Sequence, residues 1–176
     1  MGVYNVHERL LTAKGGEVGA LLDTLASQED GLWPRRSWPP MRLDRPLAPG
    51  AAGGHGPVRY TVAAYVPSTW VRFTFSGPRG FHGFHEYAVL PVDETHTILR
   101  HTLAMNTTGS VRLTWPLIWR PLHDALLEDS LDRAEGACTG TVAHPARWRP
   151  YARLLRGLAR AAGGAFQADP RRRQQP

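Results

Sequence analysis

The chain has 176 residues, a formal net charge of +6 and a single cysteine. That length fits one domain with its own hydrophobic core. A lone cysteine excludes an intrachain disulfide and is typical of a reducing compartment, so we expect a cytoplasmic protein. No apolar run approaches the ~20 residues needed to span a bilayer, and the first residues do not resemble a signal peptide.

The excess of positive over negative charge is confined to the end of the chain. Residues 1–143 contain 13 basic and 14 acidic residues, a net charge of −1, whereas residues 144–176 contain 8 arginines and one aspartate, a net charge of +7. The body therefore lacks the basic surface that nucleic-acid binding needs, and we expect no nucleic-acid partner. The division predicts a domain at residues 1–143, followed by a basic, Arg-rich extension at residues 144–176 that is partly helical and then disordered.

The first part of the chain predicts a strand, a helix and a long irregular connection. Tyr4 to Thr12 alternates as a strand does, and Gly16 to Ser27 places its apolar residues at helical spacing. Periodicity then disappears from Gln28 to Pro57, which is long for a structureless loop. Within it we predict a poorly formed strand at Met41 to Leu43 and a flexible turn at Gly50 to Gly56.

A run of four strands follows, at Val58–Val66, Thr69–Ser76, Phe81–Pro91 and Thr95–Asn106. Short turn signals separate them, which is typical of an antiparallel meander. If each turn has two residues, the three hairpin registers agree on one apolar face. That face carries Val58, Tyr60, Val62, Ala64, Val71, Phe73, Phe75, Phe84, Ala88, Leu90, Leu99, Leu103 and Met105.

Three polar residues interrupt this apolar face: His82, Glu86 and His101. The same registers place Glu86 directly opposite His101, within reach of side-chain contact. A carboxylate beside an imidazole in an apolar setting favours the charged pair and forms a general acid–base unit. The alternative is a polar pair that only braces the sheet, and the sequence leaves both open.

The longest periodic segment predicts one helix from Ser110 to Cys138. Pro116 and Pro121 predict a kink near Trp119, or a regular helix that begins only at Pro121. His123 projects into the middle of the apolar face of this helix. That face carries Trp115, Trp119, Leu122, Leu126, Leu127, Ser130, Ala134, Ala137 and Cys138.

The histidines do not have the spacing of a metal site. His82, Glu86, His101 and His123 could converge, but no HxH or HxxxH pair is present, so we predict no metal and no cofactor. The remaining histidines lie at predicted edges or loops: His7, His55, His96 and His144.

The order of strand, helix, irregular connection, meander and long helix resembles the helix-grip fold of the START-like (SRPBCC) superfamily. The stretch from GFHGFHEYAVLPVDETHTILRHTL through WPLIWRPLHDALLEDSLDRAE is similar to polyketide cyclase/dehydrase-type members found in actinobacterial genomes. The resemblance implies an α+β fold in which a curved antiparallel sheet wraps a long C-terminal helix around a cavity. It also implies binding of a lipid, polyketide or aromatic compound, with cyclisation or dehydration in some members.

The superfamily has no universal catalytic residue to transfer, but the hairpin registers and the helical periodicity make three side chains candidate catalytic residues: Glu86, His101 and His123. If chemistry occurs, Glu86 orients His101, which moves the proton, while His123 or Tyr60 polarises the substrate oxygen. The residues expected to line the cavity and bind ligand are Tyr60, Val62, Phe73, Phe75, His82, Phe84, Leu99, Leu103, Met105, Trp119, Leu122 and Leu126. Three functions stay open: a carrier of a small hydrophobic ligand, a cyclase/dehydratase-type enzyme, and a peripheral-membrane lipid carrier.

The basic extension contains a second amphipathic pattern. Trp148, Tyr151, Leu154, Leu155 and Leu158 form a stripe at helical spacing, with arginines beside it. Such a helix lies on an anionic membrane surface, docks on its own domain, or stays a loosely ordered tail. The last seven residues, PRRRQQP, are expected to be disordered.

Overall fold

A seven-stranded antiparallel sheet and one long helix dominate the computed structural model, which describes residues 1–167 and the side chains to residue 161. The strands stand in the order β1-β7-β6-β5-β4-β3-β2. They are β1 (Gly2–Leu11), β2 (Arg42–Leu43), β3 (Ala52–His55), β4 (Val58–Val66), β5 (Trp70–Gly77), β6 (Phe81–Pro91) and β7 (Thr97–Thr107). The helices are α1 (Gly15–Asp23), α2 (Val111–Thr114), α3 (Arg120–Thr139) and α4 (Pro150–Gln167), with a π-helical turn at Trp115–Trp119 between α2 and α3.

The predicted fold class is confirmed: the protein is α+β, with a curved antiparallel sheet and a long helix. The helix buries Ala125, Leu126, Leu127, Ser130, Leu131 and Ala134, and the core that they share with the sheet includes Tyr60, Phe73 and Leu99. None of the helices among residues 1–167 is long and apolar enough to cross a bilayer. The predicted disorder of the last seven residues lies outside the described residues.

The aperiodic segment is ordered by side-chain hydrogen bonds. The buried carboxylate of Asp30 accepts the backbone N–H groups of Ala26, Leu32 and Trp33 at 2.7–2.9 Å. These bonds hold the chain while Leu32, Trp33, Trp38 and Met41 enter the core. The short strand predicted near Met41 is present as β2, but β3 occupies the place of the predicted flexible turn.

The two prolines of the long helix distort it without ending it. The distortion takes the form of the π-helical turn at Trp115–Trp119, and the helix continues from there into α3. Pro121 has no N–H to donate to the carbonyl four residues earlier, which is that of Leu117. The hydroxyl of Tyr151 in α4 donates to that carbonyl at 2.8 Å. A proline inside the helix thus leaves an acceptor for another part of the chain.

The register of β6 is the main error of the sequence-based prediction. Phe73 pairs with His85, and Glu86 pairs with Thr102, so β6 is displaced by one residue against both neighbours. Both turns are longer than two residues: three lie between β5 and β6, where Gly80 takes a φ of +103°, and five lie between β6 and β7. Because side chains alternate across a sheet, a slip of one residue reverses the faces of the whole strand.

Helix α1 is fastened to the turn between β4 and β5. A Cβ on Gly19 would lie 2.3 Å from the backbone oxygen of Ser68, so only glycine allows this approach. The Asp23 carboxylate accepts the N–H and the hydroxyl of Ser68 at 2.7 and 2.6 Å, and the Tyr65 hydroxyl at 2.7 Å. Burial alone would raise the pKa of Asp23, but these hydrogen bonds lower it overall.

Helix α4 packs on the domain. The rings of Trp148 and Trp38 lie 5.1 Å apart, and both indole N–H groups donate to the Asp129 carboxylate at 2.8 and 2.7 Å. Ala152 is buried, and the guanidinium of Arg156 donates to the backbone oxygen of Ser37. One face of the predicted amphipathic helix is therefore covered.

Candidate functional site

A cavity of about 280 Å³ lies between the inner face of the sheet, the long helix and α4. Its deepest residues are buried, whereas Pro57, Ile118 and Ala159 reach the surface and mark its mouth. Apolar atoms form nearly all of its wall. The lining residues are Trp33, Trp38, Pro39, His55, Gly56, Pro57, Val58, Phe75, Phe81, His85, His101, Leu103, Trp115, Ile118, Trp119, Leu122, His123, Leu126, Leu127, Arg156 and Ala159.

The structure separates the predicted ligand-binding residues into three groups. Phe75, Leu103, Trp119, Leu122 and Leu126 line the cavity. Five others are buried but do not line it: Tyr60, Val62, Phe73, Leu99 and Met105. The last two, His82 and Phe84, lie on the outer face of β6. His82 is exposed beside the Thr108 hydroxyl, and the Arg72 guanidinium covers the Phe84 ring at 4.0 Å.

The predicted contact between Glu86 and His101 is wrong. Glu86 lies on the outer face, where its carboxylate accepts the indole N–H of Trp70 at 3.0 Å and the Nε–H of Arg72 at 2.8 Å. His101 lies on the inner face and lines the cavity, as does His123 of α3. The displaced register of β6 is the reason, because it turns Glu86 away from the cavity and His85 into it.

His85 and His101 form the polar centre of the cavity. Nδ1 of His85 lies 3.3 Å from Nε2 of His101, and the His85 ring stacks against Phe73 and Phe75. Burial lowers the pKa of both histidines well below the usual value, so both rings are neutral at neutral pH. Nε2 of His85 and Nδ1 of His101 are buried and have no hydrogen-bond partner within the described part of the chain.

A neutral pair of this kind presents one donor and one acceptor. If His101 Nε2 carries the proton and donates, then His85 must carry its own proton on Nε2, and His101 Nδ1 is bare. If His85 Nδ1 donates instead, both free atoms exchange roles. The two free nitrogens therefore always offer opposite hydrogen-bonding functions, and they change together.

Further aromatic and imidazole rings extend this centre across the sheet. The Tyr60 ring lies 4.9 Å from His85, and its hydroxyl lies 3.1 Å from Nδ1 of His55. On the other side the His123 ring is 5.3 Å from His101. Burial raises the pKa of Tyr60 well above its usual value and lowers the pKa of His55 to about 3.

Sequence reasoning missed His85 and His55 as site residues. His85 lies on the face of β6 that was predicted to point outward. A register based on a three-residue turn before β6 would have placed it on the inner face. His55 lies on β3, which the sequence pattern does not predict. A group of side chains with separations that suit a metal ion lies behind the cavity wall instead, where the lining residue His123 meets His7 and Asp124, which do not line the cavity.

Comparison with known proteins identifies the fold. No family profile matches the sequence, and no curated protein matches it. Many solved structures do match. The seven-stranded sheet, the long helix and the cavity between them form the helix-grip fold that the sequence resemblance implied.

Three solved structures illustrate the similarity. A protein of Thermobifida fusca aligns with 81% of this chain and 99% of its own, at 17% identity and a TM-score of 0.59. CalU16 from Micromonospora echinospora aligns with 94% of this chain and 89% of its own, at 12% identity and a TM-score of 0.56. Norcoclaurine synthase from Thalictrum flavum, in complex with dopamine and hydroxybenzaldehyde, aligns with 74% of this chain and 84% of its own, at 13% identity and a TM-score of 0.56. At these identities the comparison establishes the fold alone.

Proposed function

We propose that this protein binds a small hydrophobic molecule that carries at least one hydroxyl or carbonyl group. The observation that carries the proposal is the pair of free ring nitrogens, on His85 and His101, in an otherwise apolar cavity. A buried polar atom without a partner costs about 1–3 kcal/mol. A ligand with a suitably placed oxygen recovers that free energy, so the pair selects for such a ligand.

The size of the cavity limits the ligand. Its volume of about 280 Å³ is just below the range of about 300–1,000 Å³ for small-molecule pockets. One or two rings, or a short acyl chain, fit this volume. The compounds bound by norcoclaurine synthase, dopamine and hydroxybenzaldehyde, belong to this size class and carry hydroxyl groups, which supports the proposal.

We propose binding and not turnover, because the cavity wall formed by the described residues contains no carboxylate. Of the three candidate catalytic residues, His101 and His123 remain beside the cavity. Without Glu86, the neutral His85 is the hydrogen-bond partner of His101. That arrangement orients the ring without stabilising an imidazolium ion, so it suits recognition better than proton transfer.

The test is a comparison of two probes, 4-hydroxybenzaldehyde and benzaldehyde, by isothermal titration calorimetry. One additional hydrogen bond should favour the hydroxylated probe by roughly tenfold in the natural protein. His85→Phe should abolish the preference, because it removes one of the two free nitrogens. The control is His82→Gln, on the outer face of the same strand, which should keep the preference. A His85→Phe variant that prefers 4-hydroxybenzaldehyde over benzaldehyde as strongly as the natural protein does would contradict the proposal.

We also propose, as a second function, that the mouth of the cavity docks on an anionic membrane. Several large apolar side chains are exposed on α4 and on the helical segment that contains Ile118: Leu113, Leu117, Ile118, Leu154 and Leu158. Arg153 and Arg160 stand beside them on α4 and are exposed as well. Because Ile118 and Ala159 belong both to the mouth and to this surface, a lipid could pass between bilayer and cavity there. An amphipathic basic surface binds anionic lipid through its apolar area and its charge.

Vesicle sedimentation tests the second function. The natural protein should sediment with vesicles of phosphatidylserine and phosphatidylcholine and much less with phosphatidylcholine alone. The double variant Leu154→Asp/Leu158→Asp should lose binding, whereas Val92→Asp, at an equally exposed residue in the turn after β6, should not. Equal binding by the double variant and the natural protein would contradict this function.

A further inference from the structure

A second cluster of chemically active side chains joins β1 to the beginning of α3. It consists of His7 on β1 and the adjacent residues His123 and Asp124 on α3. Oδ1 of Asp124 lies 3.2 Å from Nε2 of His7 and 3.5 Å from Nδ1 of His123, and one donor atom from each residue lies within 4.8 Å of the others. Two imidazoles and one carboxylate thus bring three possible metal-binding atoms close together.

These separations match the edges of a tetrahedral coordination site. With zinc bonds of about 2.0–2.1 Å, neighbouring ligand atoms in a tetrahedron lie about 3.3–3.4 Å apart. Two of the edges already have this length. The third, between the two imidazole nitrogens, is no longer than 4.8 Å.

The surroundings supply the support that metal-binding histidines usually have. Nδ1 of His7, the nitrogen that faces away from Asp124, lies 2.7 Å from Oε1 of Glu128. A carboxylate in this position fixes the tautomer and orientation of a histidine ligand. The Glu128 carboxylate is itself held by Nη2 of Arg9 at 3.2 Å.

Three further atoms of the cluster lack a hydrogen-bond partner among the described residues. Both ring nitrogens of His123 are buried without a hydrogen-bond partner among the described residues, and so is Oδ1 of Asn5. Nδ2 of Asn5 donates to Oδ1 of Asp124 at 3.1 Å. A half-turn of this amide would place its oxygen where the nitrogen now meets Asp124, which supplies a fourth, neutral ligand.

From these contacts we infer that His7, His123 and Asp124, with Asn5 as a fourth ligand, bind a divalent transition metal of the zinc type. Mixed nitrogen and oxygen ligands in a tetrahedral arrangement suit zinc and cobalt better than magnesium or calcium, which take more oxygen ligands. The inference goes beyond the proposed ligand-binding function and does not depend on it. Since His123 also lines the cavity, the metal would be held in the cavity wall.

The first experiment uses the full chain after dialysis against EDTA. Calorimetric titration with zinc chloride should show one equivalent bound with a Kd on the order of micromolar or tighter. Titration with cobalt chloride should produce the visible absorption bands of tetrahedral Co²⁺. Failure of the natural protein to bind either ion below millimolar concentration would overturn the inference.

Variants then locate the site. His7→Gln and Asp124→Asn should each weaken zinc binding by about 100-fold or more, and Glu128→Gln by about 10–100-fold. His96→Gln is the matched control, because His96 also pairs with a carboxylate, that of Asp93 at 3.0 Å, but has no third ligand among the residues that the structure describes. Circular dichroism checks that each variant is folded. Where one is not, X-ray absorption of the zinc-bound natural protein replaces it, and a spectrum without two imidazole ligands would overturn the inference.

Discussion

The stability of the protein should depend on His85 in acid, and the size of the effect can be worked out. The ring is buried, and burial holds its pKa well below the value of 6.5 that it has in the unfolded chain. Between pH 7 and pH 5 the unfolded chain therefore takes up a proton that the folded protein does not. Stability is lost as the pH falls through about 6.5, because proton uptake favours the unfolded state.

One such histidine stabilises the unfolded state by RT ln(1 + 10^(6.5 − pH)), which is about 0.06 kcal/mol at pH 7.5 and about 2 kcal/mol at pH 5.0. His85→Phe removes this contribution and keeps a ring that can stack on Phe73 and Phe75. The loss of unfolding free energy between the two pH values should thus be about 2 kcal/mol smaller in the variant. The constant cost of the substitution cancels in this difference.

Urea denaturation at both pH values, followed by tryptophan fluorescence, measures the effect. His82→Gln serves as the control, because that side chain is in water in both the folded and the unfolded protein. It should show the full pH dependence of the natural protein. If His85→Phe shows the same dependence as the natural protein, then His85 is not a buried neutral residue, and the polar centre of the cavity is misplaced.

Three other predictions concern stability. Leu127→Ala should lower the unfolding free energy by about 2–5 kcal/mol, because the side chain is 2% exposed between helix and sheet. Truncation after Gly140 should lower the thermal midpoint, because Trp38 loses its aromatic partner and the cavity loses part of its wall. Asp23→Asn should destabilise the protein at pH 6, and by less as the pH falls below the ordinary pKa of 3.8, because the hydrogen bonds that lower the pKa of Asp23 stabilise the fold only while the carboxylate is charged.

Each of these has a measurement that can contradict it. Leu113→Ala, at a side chain that is 72% exposed, should change the unfolding free energy measured by urea titration by less than about 0.5 kcal/mol. An equally small change for Leu127→Ala would mean that the face of the helix described as buried is not the buried one. An unchanged midpoint on calorimetry after truncation would mean that α4 adds no stability. A cost of Asp23→Asn that does not vary with pH would mean that the carboxylate is not charged in its hydrogen bonds.

The sequence predicted the architecture well, because periodic burial dominates it. Strands and helix fell within a few residues of their observed bounds, and the inner faces of β4, β5 and β7 were largely correct. In those strands the large apolar side chains alternate with polar ones, so only one orientation buries them. The helix was predicted for the same reason, since its apolar residues recur at helical spacing.

The candidate site was predicted less well, because one strand is ambiguous. In β6 both faces carry large apolar side chains, with Phe84 on one and Tyr87 and Val89 on the other. The hydrophobic pattern therefore does not decide the orientation, and the lengths of the two turns do. Those lengths depend on local features, such as Gly80 and the Asp93 carboxylate that accepts the N–H groups of the second turn.

The other missed residues depend on contacts between distant parts of the chain. His7 gains its role from Asp124 and Glu128, which lie more than 110 residues away in sequence. His55 belongs to the polar centre because it contacts the Tyr60 hydroxyl across the β3–β4 hairpin, and the segment that precedes β3 has no periodic pattern. No periodic pattern within one segment carries this information.

The two odd-length turns around β6 also give the fold a route to new chemistry. Strand β6 carries two sets of alternating side chains, either of which can face the cavity: His85 with Tyr87 and Val89, or Phe84 with Glu86 and Ala88. Loss of one residue from one turn and gain of one residue in the other would exchange these sets and leave β5 and β7 in place. Surface loops tolerate such changes readily. Two small, paired length changes could therefore replace an imidazole with a carboxylate in the cavity of a descendant protein, with no substitution in the strand itself.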